Sequence, residues 1–190
     1  MAVSIALWRG ETNFNVKNKI SGISEAMLTD LGKKQALNAK EKLKDIHFDK
    51  VYVSPLQRAI DTANIITNQN KIIDQRIKEI DFGVYEGMDT STKEFQQTKY
   101  NLGVRFPQGE TFLEVVHRVY SFLDDVTSKD DEVILVICHG GIIRTINSYF
   151  YDMTNDDFFY YRTQNCDIKI YDFKKWKVFF SILWYNRINK

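Results

Sequence analysis

VILVICHGGIIR, residues 133–144, sets the reading of the chain. Val133 to Cys138 are all apolar, so the strand they form must be covered on both faces, like a central parallel strand between two helix layers. His139-Gly140-Gly141 then turns directly into another helix starting near Ile142. The same strand-then-helix pattern recurs upstream. Val3 to Leu7 reads as a buried strand, and Thr29 offers an N-cap for a run of strong helix formers reaching about Lys44. Phe48 to Val53 reads as a second strand. Ser54-Pro55 follows it, supplying a capping hydroxyl and a proline at the first helical position, for a helix predicted from Pro55 to about Thr67. From Thr111 to Val126, Val115, Val119, Phe122 and Val126 recur at helical spacing. Asp167–Asp172 and Lys177–Trp184, around Phe173-Lys174-Lys175-Trp176, read as an edge hairpin. Strands separated by helices predict a three-layer α/β/α sandwich with a mostly parallel central sheet, its ligand site beyond the carboxyl ends of the strands.

Length and composition bound the rest. At 190 residues, with 44% hydrophobic and 27% charged residues, the chain suits one folded domain over 1–190. A net charge of +1, from 26 basic and 25 acidic side chains, gives no global field to draw nucleic acid or an anionic membrane. Residues 1–11 lack the apolar core of a signal peptide, and no apolar stretch approaches a membrane span, so a cytoplasmic protein is expected. Cys138 and Cys166 have no neighbouring cysteine and read as buried free thiols. No metal-ligand constellation appears, and neither a metal nor another cofactor is expected. The edge of the C-terminal hairpin would offer two copies a surface for pairing as a homodimer.

Three strand ends carry unusual polar residues. Arg9, Glu11, Thr12 and Asn15 follow the first, Arg58 lies one turn into the helix after the second, and His139 with Gly140 ends the third. Two arginines, a histidine and the N–H groups of a glycine turn opening a helix make an anion site suited to phosphate. Glu79, ahead of the glycine turn at Gly83, is the carboxylate placed to act as general acid on a leaving oxygen. His117 lies off the apolar stripe of its helix and His47 precedes a strand, so neither is expected in the site. Val16 to Met27 and Met88 to Gly109 are the loops expected over the pocket. Phe95, Tyr100 and Phe106 in the second could cover a ligand or pack, and packing is expected of Phe106.

These residues occur in stretches that resemble the histidine phosphatase superfamily, the phosphoglycerate-mutase-like proteins, along nearly the whole chain. The stretches are Gly10-Glu11-Thr12-Asn13-Phe14-Asn15, Leu28 to Ala36, Phe48 to Ala63, Ile77 to Gly87, Phe106 to Glu110 and Val136 to Arg144. The resemblance implies a phosphorylated small molecule as substrate. It also implies a histidine in an Arg-His-Gly-Glu-Thr motif that attacks phosphorus to form phosphohistidine. Arg58 would then be the second arginine of the pocket, Glu79 the proton donor, His139 the second histidine and Asn15 a phosphate or substrate contact.

The chain departs from that motif at its centre. Where the family reads Leu-Val-Arg-His-Gly-Glu-Thr, this chain reads Leu7-Trp8-Arg9-Gly10-Glu11-Thr12. Without a gap, Arg9 takes the nucleophile's place and Trp8 the first arginine's. With one residue deleted, Arg9 is the family arginine and Trp8 a strand apolar residue; the single deletion leaves an arginine aimed at phosphate and is the reading adopted here. A guanidinium has no lone pair with which to attack phosphorus, so Arg9 cannot replace the histidine. The expectation is a phosphate-binding pocket without ordinary phosphohistidine chemistry, either a pseudoenzyme or a site reused for chemistry led by Glu79 or His139. The alternative is an active phosphomonoesterase whose motif histidine is altered or unrecorded in this chain.

Overall fold

The structure, a computed structural model, describes residues 3–127 and 132–172. Its strands are β1 (Val3–Trp8), β2 (Lys50–Val53), β3 (Lys71–Ile73), β4 (Val133–Cys138) and β5 (Ile168–Asp172). They form one sheet in the order β3-β2-β4-β1-β5, all neighbours parallel except the edge pair β1 and β5. The helices are α1 (Asn13–Val16), α2 (Asp30–Leu43), α3 (Gln57–Ile66), α4 (Lys93–Thr98), α5 (Phe112–Thr127), α6 (Gly140–Phe150) and α7 (Asn155–Tyr160).

Side-chain alternation along the sheet divides the core in two. Ile5 and Leu7 of β1 and Leu135 and Ile137 of β4 face Ala36, Ala39, Ala59 and Ala63 of α2 and α3. These alanines are buried, and their small size lets the two helices lie close to the sheet and to each other. Ala6, Ile134, Val136 and Cys138 face the opposite layer, where Val115, Val119 and Phe122 of α5 meet Ile142, Ile143 and Ile146 of α6. The three-layer α/β sandwich with a mostly parallel sheet thus follows from β4 being apolar on both faces.

Several predicted boundaries shift. Thr29 does cap α2, its hydroxyl accepting from the Gly32 N–H at 3.0 Å. Ser54 does not cap the next helix: α3 begins at Gln57 after an extended Leu56, and the Ser54 hydroxyl lies between the Leu56 N–H and His139 Nε2. The second strand is shorter than the apolar run, starting at Lys50, and α6 starts at Gly140 rather than near Ile142. The short edge strand β3 adds to the expected set. Phe95, one of the residues considered for covering a ligand, is buried and stacks on the buried Phe106, their centroids 5.9 Å apart, while Tyr100 packs edge-on against Phe159. Cys138 and Cys166 are buried free thiols. The first hairpin strand is β5, antiparallel at the sheet edge; its expected partner over 177–184 lies outside the described residues. Among the described residues no helix is long and apolar enough to cross a membrane.

Candidate functional site

The carboxyl ends of β1, β2 and β4 lie side by side, and the residues that leave them converge. Beyond Trp8 the Arg9 N–H still bonds to the Cys138 carbonyl at 3.0 Å, which holds the β1 exit against the β4 exit. Gly10 is needed because a Cβ there would lie 2.5 Å from the Gly32 carbonyl oxygen at the start of α2. Its N–H donates to Thr62 Oγ1 on α3 at 3.1 Å. The turn so fixed buries the Arg9 side chain, whose Nη1 donates to the Gly10 carbonyl at 2.8 Å and to Asn15 Oδ1 at 2.5 Å. Asn15 Oδ1 also accepts from the N–H and hydroxyl of Thr12, both at 3.0 Å. Asn15 therefore ties Arg9 to the start of α1.

Arg58, 1% exposed, points from α3 under the loop between Ile20 and Met27. Its Nη1 donates to the Ser24 carbonyl at 2.8 Å and its Nη2 to the Gly22 carbonyl. The amides of the same loop turn the other way. Gly22, Ile23 and Ser24 all donate to the Glu86 carboxylate, at 3.1, 3.0 and 3.2 Å. One loop is thus gripped through its carbonyls by a cation and through its N–H groups by an anion.

His139 ends β4 and is fully buried, with Nε2 2.6 Å from Ser54 Oγ at the end of β2. Two glycines then let α6 start against large neighbours. A Cβ at Gly140 would lie 3.2 Å from the Trp8 ring, and one at Gly141 would lie 2.6 Å from Glu79 Oε1. Glu79 accepts from its neighbour's Ile80 N–H at 3.1 Å and from the Gly141 N–H at 3.3 Å, so its carboxylate faces the positive end of the α6 dipole. Arg118 of α5 fixes the segment that carries Glu79. It donates to the carbonyls of Arg76, Lys78 and Glu79 at 2.6, 2.8 and 3.2 Å and forms a two-pronged pair with Glu110 at 2.9 and 3.0 Å.

The electrostatics are those of an anion site. Burial and then Arg58 pull the Arg9 guanidinium down to about 9, which leaves it charged at neutral pH. Burial, opposed by Glu79 and Glu86, also lowers Arg58. Burial first, then Arg58, Arg9 and Arg118, hold the His139 imidazole well below its ordinary value, so it is neutral. Trp8 Nε1, Arg9 Nε, Arg58 Nε and His139 Nδ1 are buried without a protein partner. Ser21 Oγ, Arg144 Nε and Tyr171 Oη are also buried without a protein partner, but the first four gather where β1, β2 and β4 end.

The residues expected in the site, Arg9, Asn15, Arg58, Glu79, His139 and Gly140, all lie around the carboxyl ends of β1, β2 and β4, while His47 and His117 are exposed. Ser54, Glu86, Arg118 and Trp8 belong to this group too. Ser54 reads as a helix cap in the sequence, and Arg118 as a polar-face residue of an amphipathic helix, so neither carries a local signal. Glu86 lies in the Ile77 to Gly87 stretch but its role depends on a loop some sixty residues away.

The family profile described as the histidine phosphatase superfamily (branch 1) matches residues 5–186. The 2,3-bisphosphoglycerate-dependent phosphoglycerate mutase of Thermoplasma acidophilum is 29% identical over 177 residues, covering 90% of this chain and 88% of the relative. The uncharacterized phosphatase PhoE of Bacillus subtilis is 32% identical over 143 residues, covering 72% and 71%. Among solved structures, phosphoserine phosphatase from Entamoeba histolytica in complex with 3-phosphoglyceric acid superposes with a TM-score of 0.80 at 25% identity over 92% of each chain.

Proposed function

The chain belongs to branch 1 of the histidine phosphatase superfamily, and from that premise we propose that its pocket binds the phosphate of a phosphorylated small molecule without ordinary phosphohistidine-dependent phosphatase or mutase turnover. The observation that carries this reading is the passage from Arg9 straight to Gly10, where the family motif has its nucleophile. The side chain of Trp8 packs on the same face as Ala6, toward α5 and α6, and under either alignment of the motif no histidine stands between Leu7 and Thr12. With one residue deleted, Arg9 keeps the arginine's role, and Arg9, Arg58, His139 and the α6 N-terminus supply positive charge and donors to phosphate oxygens. Removing the nucleophile of a well-studied protease lowers turnover by about 10⁶-fold while leaving binding groups in place. Recognition can therefore outlast catalysis.

A second reading, an active phosphomonoesterase, is favoured by Glu79, whose carboxylate lies at the α6 N-terminus where a proton donor to a leaving oxygen would stand. The two are separated by assaying a protein of verified intact mass against an aryl phosphate and a panel of phosphorylated metabolites, with His139→Ala beside it. The expected result is negligible turnover with a raised melting temperature in the presence of phosphate compounds. Turnover at ordinary enzymatic rates, abolished by His139→Ala, would establish the second reading, and a mass excess of one histidine would explain it.

A further inference from the structure

The atoms around His139 and Ser54 determine which imidazole nitrogen carries the proton. Ser54 Oγ has one hydrogen to give and lone pairs with which to accept. It accepts from the Leu56 N–H at 3.3 Å and lies 2.6 Å from His139 Nε2, with both side chains wholly buried. If Nε2 carried the proton, it would donate to the hydroxyl, and the hydroxyl hydrogen would need an acceptor other than the two groups that Ser54 Oγ meets, the Leu56 N–H and the ring. If Nε2 is the bare nitrogen, the hydroxyl donates to it, and both Nε2 and the hydroxyl are satisfied. The neutral ring must then hold its proton on Nδ1, the nitrogen left without a protein partner. We propose that Ser54 is a positioning residue that locks His139 in its Nδ1–H tautomer, so that a neutral imidazole presents a hydrogen-bond donor to the phosphate.

The consequence is a division of labour. The arginines supply charge, and His139 supplies a directed donor without adding a third positive charge to a buried cluster. Ser54 Oγ meets the ring at Nε2, so in this proposal its hydroxyl serves the histidine rather than the phosphate. The role in binding rests on the phosphate reading above; the tautomer does not.

Two measurements separate them. Long-range ¹H–¹⁵N correlation on ¹⁵N-histidine-labelled protein, without ligand, should show His139 with Nδ1 protonated and Nε2 bare. Ser54→Ala should mix the tautomers, and Ser54→Thr should restore the wild-type pattern. Titration with inorganic phosphate should then give an affinity about 5- to 20-fold weaker for Ser54→Ala and near wild type for Ser54→Thr, as expected when one charged-partner hydrogen bond is misaligned. An Nε2–H tautomer in the wild type overturns the proposal whatever phosphate does. Absence of phosphate binding by a wild type with the Nδ1–H tautomer overturns the phosphate reading and with it the proposed use of the donor, leaving Ser54 as the residue that sets the tautomer. An acid-stable phosphoryl group on Ser54 after incubation with an aryl phosphate overturns the positioning role in favour of a nucleophilic one.

Discussion

Arg118 and Arg58 flank the same strand ends and perform similar local tasks, each donating to backbone carbonyls of a neighbouring segment. They differ in what balances their charge. Arg118 meets Glu110 through two parallel hydrogen bonds, so its charge is neutralised where it stands. Arg58 is more deeply buried, and among the described residues no carboxylate lies within ion-pair distance of it; Glu79 and Glu86 act on it only from farther away. A buried charge with an adjacent partner belongs to the scaffold, whereas one without leaves room for an anion from outside. The contrast separates an arginine paired with a carboxylate from one proposed to meet phosphate, where sequence alone shows two arginines on two helices.

The largest effect should come from breaking the scaffold arginine. Arg118→Leu strands the Glu110 carboxylate in a partly buried place and frees three carbonyls, which should cost about 3 kcal/mol. For a chain of this size that lowers Tm by roughly 6–12 °C. A change below roughly 2 °C by differential scanning calorimetry would show that Arg118 is not what fixes the Glu79 segment. Arg58→Gln should behave oppositely. Loss of the two carbonyl bonds is partly offset by removal of an uncompensated charge, so Tm without ligand should fall by less than in Arg118→Leu. Its phosphate affinity should fall about 10- to 100-fold, the range for one charged hydrogen-bonding group. Equal phosphate binding by wild type and Arg58→Gln in isothermal titration would erase the distinction between the two arginines.

His139 adds a pH signature. Its folded-state value lies below that of an unfolded histidine, about 6.5, so below that pH the unfolded chain binds the extra proton first. The stability associated with the neutral ring is complete above pH about 6.5 and drains away as pH falls toward the depressed folded value, at up to about 1.4 kcal/mol per pH unit. Urea unfolding between pH 7 and 5 should show that slope in the wild type and a shallower one in His139→Gln. Parallel slopes would mean that the ring protonates without resistance.

How much of this could be read from residues alone depends on the range of the interaction. β4 and α5 were legible because burial on one or two faces is written in local periodicity, and the strand-end rule then placed Arg9, Arg58 and His139 together. Thr29 was legible as a cap because its partner lies three residues away. Ser54 shows the complementary case: its nearest sequence context invites a helix cap, and it does accept from the nearby Leu56 N–H, but its partner in the site is His139, 85 positions on. Phe95 and Tyr100 look alike in a polar stretch, and only packing against Phe106 or Phe159 separates the buried ring from the half-exposed one.

The smallest effect should sharpen the contrast at the loop itself. Glu86 balances the grip of Arg58 by taking three consecutive N–H groups and the Ser24 hydroxyl. If its negative charge is what holds those amides, Glu86→Gln keeps the shape, removes the charge assistance and allows only part of the set to be satisfied, since an amide offers one acceptor oxygen where the carboxylate offers two. The loop should then open locally by about 1 kcal/mol more readily, seen as roughly 5-fold faster hydrogen exchange at Gly22, Ile23 and Ser24, with amides of β4 unchanged. Because opening frees the carbonyls that occupy Arg58, the same substitution should leave phosphate affinity equal or slightly higher. Faster exchange with clearly weaker phosphate binding would mean that the closed loop contributes to the site, and that Arg58 recognises its ligand only while it holds Gly22 and Ser24.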